Sequence, residues 1–226
     1  MSILAVIPAR GGSKRLPRKN IRYFAGKPLL AWTIEASLKT MAIDRVIVST
    51  DDEEIAEVAL AFGAEVPFLR PDYLAQDDTS GISPVIHALE MLPGYDQVLL
   101  LQPTSPLRTV KDINGIITFC REIQAPAAVS VTQINENPLW MYRLASDYSI
   151  QPFLGESKIS IAEEDKSSLY LPNGALYLAN VAWFREQKNF FSNETVGYVM
   201  PQYRSVDIDT QIDWDWAEFL INKERH

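Results

Sequence analysis

The five residues Ile3-Leu4-Ala5-Val6-Ile7 constrain this chain more than any other stretch. They show no polar alternation and end at Pro8, so they read as a strand buried on both faces, with helices needed above and below it. The chain supplies those helices in alternation with further strands. Pro28 to Lys39 carries apolar residues at Leu29, Leu30, Trp32, Ile34 and Leu38, and Pro28 suits a first helical turn. Arg45 to Ser49 is the second strand, followed by a helix through Phe62 with Thr50, Asp51 and Asp52 as cap candidates and Gly63 as its stop. Glu65 to Leu69 reads as a third strand, cut by Pro67 and therefore at a strand end or sheet edge. Ile82 to Leu92 is a helix, Gln97 to Leu101 a central strand, and Thr109 or Asp112 begins a helix to about Ile123. Ala127 to Thr132 is the last obvious core strand. This order predicts an α/β fold in three layers, a mostly parallel central sheet with helices on both faces.

The loop after the first strand is chemically unusual. Arg10, Lys14, Arg15, Arg18, Lys19, Arg22 and Lys27 supply seven of the chain's 21 basic residues, and no acid appears before Glu35, in a protein of net charge -8. Gly11 and Gly12 let the backbone turn its N–H groups toward a ligand, so fixed dipoles and cations act together on an anion such as phosphate. Neither G-x-x-x-x-G-K-[ST] nor G-x-G-x-x-G is present, so this is not a Walker or dinucleotide loop. One basic loop on an acidic chain argues against general nucleic-acid or anionic-membrane binding, which need a broad basic surface. Small-molecule partners are the expectation. The single cysteine, Cys120, excludes an internal disulfide and a Cys-rich metal site. The opening MSILAVIPAR is too short for a signal h-region or a membrane span, so a cytoplasmic protein is expected.

Other polar features have plainer readings. Asp72, Asp77 and Asp78 suit a turn and the cap region of the helix after them, and His87 suits an ordinary helical position. The central strand runs into Gln102-Pro103-Thr104-Ser105-Pro106-Leu107-Arg108. Its two prolines stiffen a loop at the carboxyl end of a strand, where ligands of open α/β sheets bind, so Gln102 and Arg108 are presented there at little entropic cost. From Ile134 to Leu169 the rhythm breaks: Trp140, Tyr142, Tyr148 and Phe153 are frequent aromatics, and Glu163, Glu164 and Asp165 cluster. That composition predicts an excursion exposing apolar surface that needs a partner. Leu171 to Leu178 returns as an Asn-Gly turn and a strand, Asn180 to Lys188 is a short helix, and Val196 to Pro201 a strand. If Ser205 to Asp209 is extended, Val206 and Ile208 face the core while Asp207 and Asp209 share the other face. Two such carboxylates, completed by water and phosphate, are what Mg²⁺ uses. Capping of the closing helix by Asp209 or Thr210, with Asp213, is the plainer alternative, and it leaves Asp207 unexplained.

The segments PARGGSKRLPRKN, QPTSPLR, PNGALY and DIDT, in that order over nearly the whole chain, resemble the acylneuraminate cytidylyltransferases, the CMP-sialic acid synthetases and their relatives acting on legionaminic and pseudaminic acids. Leu171 stands where sialic acid synthetases commonly carry Arg before the Pro-Asn-Gly-Ala motif. The resemblance implies a nucleotide-diphospho-sugar transferase-like domain, residues 1–133 and 170–226, with a small dimerisation insertion at 134–169. It implies an enzyme joining CMP from CTP to a nine-carbon 2-keto acid sugar, N-acetylneuraminate or a legionaminate type, with a pseudaminate enzyme, a hexose-phosphate nucleotidyltransferase and a non-catalytic CTP sensor as alternatives. By resemblance Arg10 and Lys19 are catalytic; Arg10, Gly11, Gly12, Ser13, Lys19, Asn20 and Arg70 hold the nucleotide; Gln102 and Asn173 hold the sugar; Asp207 and Asp209 hold Mg²⁺; and the protein is a homodimer.

Overall fold

The computed structural model describes residues 1–76, 79–134, 140–154 and 169–224. Its strands are β1 (Ile3–Pro8), β2 (Tyr23–Phe24), β3 (Lys27–Pro28), β4 (Arg45–Ser49), β5 (Gln97–Leu100), β6 (Ala127–Gln133), β7 (Tyr142–Leu144), β8 (Ile150–Pro152), β9 (Tyr170–Asn180) and β10 (Thr195–Val199). The α-helices are α1 (Leu29–Leu38), α2 (Glu53–Ala61), α3 (Ser83–Met91), α4 (Val110–Ile123), α5 (Val181–Gln187) and α6 (Gln211–Glu224). Six strands form one sheet in the order β10-β6-β9-β5-β1-β4. β1 pairs parallel with β4 and β5, β6 pairs parallel with β10, and β9 alone runs antiparallel, between β5 and β6.

The apolar run of β1 is buried on both faces, as its composition requires. Ile3, Ala5 and Ile7 pack with Leu30 and Ile34 of α1, Ile55 and Ala59 of α2, and Ile113, Ile116 and Ile117 of α4. Leu4 and Val6 face the other way, onto Val85, Ala88 and Leu89 of α3 and Val181 and Phe184 of α5. A third cluster lies beyond the sheet: Leu16, Phe24, Leu29, Leu107 and Ile208 pack against Trp214, Ala217 and Ile221 of α6. That cluster ties the basic loop, the turn after β5 and the segment before α6 into one body, so three loops distant in sequence meet at the carboxyl end of the parallel strands.

Several expectations shift in detail. Glu65 to Leu69 is not a strand; it touches β4 through two isolated parallel bridges, Ile47 to Glu65 and Thr50 to Leu69, because Pro67 between them has no N–H to continue a ladder. α3 starts at Ser83 without a side-chain cap, Asp72 falls in a 3₁₀ turn (Asp72–Leu74), and Asp77 and Asp78 lie outside the described residues. α4 begins with a reciprocal box in which Thr109 and Asp112 bond each other's backbone N–H. His87 is a helical residue set edge-on to Phe68, with ring centroids 4.8 Å apart. The Asn-Gly pair is not a turn before a strand but an irregularity within β9. Val129 pairs with Tyr177 and Val131 with Pro172, so β9 places residues 173–176 opposite Ser130 alone. β7 and β8 form a separate two-stranded hairpin whose residues are all exposed, and the Ile134 N–H donates to the Leu169 carbonyl at its base, 3.0 Å. The acids Glu163, Glu164 and Asp165 lie outside the described residues. Among the described residues no helix is long and apolar enough to cross a membrane.

α4 lies against β10 at Gly115, where a Cβ would enter the space of the Tyr198 hydroxyl and come within 2.7 Å of its ring. Gly115→Ala should therefore destabilise the protein by about 1–3 kcal/mol, outweighing the roughly 1 kcal/mol that alanine gains over glycine inside a helix. Thermal unfolding of this variant checks it: a raised melting temperature would mean that Tyr198 yields its place freely.

Candidate active site

A cleft of about 310 Å³ opens beyond the carboxyl ends of β1 and β5. Arg10, Ser13, Lys19, Asn20, Arg70, Gln102, Thr104, Asp207 and Asp209 all line it, so most of the sequence-selected residues meet in one place. Gly11 and Gly12 are beside it: the Gly11 N–H donates to Asp51 Oδ1 at 3.3 Å, and Gly12 is exposed. Asn173 is buried behind the wall rather than on it.

The seven cations of the basic run divide into two groups. Arg18 pairs with Asp52 and Glu54; Arg22 bonds Gln211 at 2.9 Å and lies 4.4 Å over the Trp214 ring; Lys27 pairs with Glu35 at 2.9 Å and lies 3.8 Å over Trp32. These three anchor the loop to α2, α6 and α1. The other four do not leave the site: Arg10, Lys14, Arg15 and Lys19, with Ser13 and Asp209, surround a second depression adjoining the cleft. A concave wall carrying four cations and a hydroxyl is suited to a polyphosphate.

The opposite wall is the segment before α6. It is not a strand of the sheet, yet the alternation holds: Ile208 is fully buried, Val206 packs against the same cluster, and Asp207 and Asp209 face the cleft. Two bonds fix it in place. The Ile208 N–H donates to the Thr104 carbonyl at 2.8 Å, and Lys19 Nζ donates to the Ile208 carbonyl at 2.7 Å. Capping falls to other residues, because Thr210 and Asp213 form the box at the start of α6 and leave the Asp209 carboxylate to Lys19 at 3.1 Å and Arg15 at 3.0 Å. Burial pushes the Asp207 carboxyl above its ordinary value; Asp209 and Asp213 add to this, and the Thr104 hydroxyl and Lys19 oppose it. Among the described residues no group of three or more His, Cys, Asp or Glu is set to hold a metal. Two carboxylates alone fit an ion that takes its remaining ligands from water and phosphate, which is the habit of Mg²⁺.

The third wall is held from behind. Arg108 is not presented to a ligand: its guanidinium donates to the Gln102 carbonyl at 3.2 Å, the Ala175 carbonyl at 2.6 Å and Thr33 Oγ1 at 2.5 Å, and burial lowers its pKa to about 9, leaving it charged at neutral pH. The β9 irregularity is equally well bonded. Ser130 Oγ donates to Asn173 Oδ1 at 2.5 Å and accepts from the Leu176 N–H at 2.8 Å, while Asn173 Nδ2 donates to Ser205 Oγ at 2.8 Å. This brings Gly174, at φ +77°, so near the wall that a Cβ there would lie 2.9 Å from Gln102 Oε1 and 3.4 Å from Asp207 Oδ2. Sequence reasoning missed Thr104, which sits in its QPTSPLR motif, and Tyr177, whose phenol is raised by burial and by nearby Asp207. The Tyr in PNGALY was the available signal for the second.

The family described as Cytidylyltransferase matches residues 4–209. The chain is 40% identical over 227 residues to a CMP-N,N'-diacetyllegionaminic acid synthase of Legionella pneumophila, spanning 98% of this chain and 97% of that one. It is 37% identical over 225 residues to an N-acylneuraminate cytidylyltransferase of Escherichia coli, spanning 98% of this chain and 52% of that longer protein. The solved structure of a CMP:2-keto-3-deoxy-manno-octonic acid synthetase complexed with CTP superposes with a TM-score of 0.73 at 19% identity, covering 99% of this chain and 100% of that one, and so shares the fold.

The raised Asp207 carboxyl gives a test needing no ligand. A carboxyl whose folded value exceeds its ordinary 3.8 makes ionisation oppose folding, a penalty absent below that value and fully present once the pH passes the folded one. Asp207→Asn removes the penalty. Its melting temperature relative to wild type should rise as the pH goes from about 4 to about 7. A variant that becomes relatively less stable over that range would show that the carboxylate supports the fold.

Proposed function

The chain belongs to the cytidylyltransferase family and is a CTP-dependent nucleotidyltransferase, and from that premise we propose that it activates a nine-carbon 2-keto acid sugar, N-acetylneuraminate or a legionaminate type, as the CMP-sugar. The observation that carries this reading is the convergence of Arg10, Lys19, Asp207 and Asp209 on one cleft. The anomeric hydroxyl of the sugar attacks the α-phosphorus of CTP, the bond to the bridging oxygen of the β-phosphate breaks, and pyrophosphate leaves as the hydroxyl gives up its proton. Such a transfer depends on positioning and on neutralising charge over the phosphate oxygens. Arg10 and Lys19 contribute that charge, and Ser13, Asn20 and Arg70 complete the nucleotide side. Gln102 is on the sugar side, with Asn173 acting through the strand irregularity that brings Gly174 against it. Asp207 and Asp209 would hold Mg²⁺, which when bound neutralises phosphate charge as a Lewis acid. A cytoplasmic location accords with both substrates being soluble.

The exposed hairpin supports a homodimer. Trp140 is 74% exposed, Tyr142 53%, Leu144 67% and Ile150 62%, a concentration of apolar surface that a lone chain would leave in water. We propose that the 134–169 insertion, of which 135–139 and 155–168 lie outside the described residues, makes the subunit contact through this hairpin.

Three measurements check these assignments. Pyrophosphate release from CTP should occur with N-acetylneuraminate or a legionaminate; release with pseudaminate alone would overturn that choice within the nine-carbon class, and release with a hexose phosphate alone would overturn the class itself. Arg10→Ala and Lys19→Ala should weaken use of CTP by on the order of 2–3 kcal/mol, and Asp207→Asn should lower turnover by at least about 10²-fold. Light scattering should give twice the chain mass, and charged residues at Tyr142 and Leu144 should halve it; a wild-type monomer at micromolar concentration rules the contact out.

A further inference from the structure

Asp51 is an acid that its helix does not use. Its neighbour Asp52 caps α2, accepting from the Ile55 N–H at 3.0 Å, and pairs with Arg18. Asp51 turns the other way, its Oδ1 accepting from the Gly11 N–H at 3.3 Å and from Arg70 Nη2 at 3.2 Å. The Arg70 side chain is only 3% exposed, and its Nε is buried without a hydrogen-bond partner. Burial, and secondarily the nearby positive charge of Arg10, lowers the Arg70 pKa, while Asp51 raises it. Two guanidiniums of like charge therefore share the cleft wall, one of them almost wholly desolvated, and the Asp51 carboxylate offsets both penalties. The Arg70 backbone is fixed separately, its N–H donating to the Thr50 carbonyl at 2.7 Å. Asp51 thus governs where the side chain points rather than where the chain runs.

We propose that Asp51 is a positioning residue for the nucleotide: it holds the Arg70 guanidinium and the first turn of the basic loop in the arrangement that receives CTP. This rests on the assignment of the cleft to CTP. Arg70 borders an open cleft, so without its carboxylate it turns into water and relieves its charge there. The consequence is a lost binding geometry with little lost stability, which separates this role from that of a structural ion pair.

The test is a double-mutant cycle on CTP affinity, measured by calorimetry without sugar, using Asp51→Asn, Arg70→Gln and the double variant. Asp51→Asn alone should weaken CTP about tenfold or more, Arg70→Gln at least as much, and the double variant no more than about threefold beyond Arg70→Gln, because the two residues act as one unit. In turnover assays Asp51→Asn should raise KM for CTP while kcat at saturation stays within about threefold, since the lost interaction is one of uniform binding. Affinity unchanged in Asp51→Asn, or losses that multiply in the double variant, would overturn the proposal. So would a collapse of folding in Asp51→Asn, which would make the pair structural. If wild type itself binds no CTP, the cleft assignment fails and this inference with it; normal wild-type binding with independent effects defeats the inference alone.

Discussion

The cleft depends on a balance between charges. Seven cations within 18 residues, Arg10 to Lys27, repel one another, and a loop carrying them stays folded only if counter-charges arrive from elsewhere in the chain. They arrive from three directions. The start of α2 supplies Asp52 and Glu54, α1 supplies Glu35, and the segment before α6 supplies Asp209 and the Ile208 carbonyl. Three of the cations are also removed from the problem by packing, since Arg22 and Lys27 lie over indole rings and Arg18 is held by two acids. What remains facing the open space is a cation set concentrated around Arg10 and Lys19. The net charge of -8 is thus not in conflict with a polyphosphate site; part of the acidity is what holds the site in shape.

The fold was legible wherever periodicity was clean. The uninterrupted apolar run of β1, the capped starts of α2 and α4 and the turn after β5 all followed from local residue patterns, because burial on both faces and cap chemistry leave few alternatives. The site was legible as far as chemistry clusters in sequence: the basic run, and two aspartates spaced by one apolar residue. Their alternation survives without a strand because Ile208 and Val206 still need the apolar cluster on α6. Segments governed by distant contacts were less legible. Glu65 to Leu69 had strand composition but one proline too many, and Arg108 looked like a ligand contact from its motif while its partners, Thr33 and Ala175, lie 75 and 67 residues away. Nor does composition assign neighbouring acids their separate tasks: Asp51 and Asp52 differ only in which way each side chain turns.

The strand irregularity at Ser130 is the case where local rules mislead most usefully. Asn-Gly ordinarily closes a turn, and nothing local to residues 170–178 says that a strand continues through it. What allows it is a serine on the neighbouring strand, whose hydroxyl both donates to Asn173 and accepts from Leu176, replacing ladder bonds that the extra residues forfeit. The main-chain path then carries Gly174 into contact distance of both Gln102 and Asp207, two residues from different loops. A side chain at 174 would have to displace one of them. The motif is therefore a spacing device, held by a buried network that includes Ser205, two residues before Asp207.

These elements place rigidity and repulsion in the same cleft on separate supports. Asp207 faces the cleft beside another carboxylate and the buried Arg70 lies beside another guanidinium, each arrangement unfavourable by itself, since desolvation and like charge both oppose ionisation. The fold tolerates them because each has a pinned backbone, Ile208 to Thr104 and Arg70 to Thr50, and an opposite charge beside its side chain, Lys19 for Asp207 and Asp51 for Arg70. A protein free to relax would turn these groups into solvent and lose the binding geometry. With the main chain and these partner charges fixed, charge of both signs stays facing one space, and relief comes when a ligand bearing the complementary charges enters. A nucleoside triphosphate with a divalent cation brings both signs at once, anionic oxygens for the Arg10, Lys19 and Arg70 side and a cation for the carboxylates. The unfavourable charge pairs of the ligand-free state thereby become a source of binding selectivity rather than a defect of the fold.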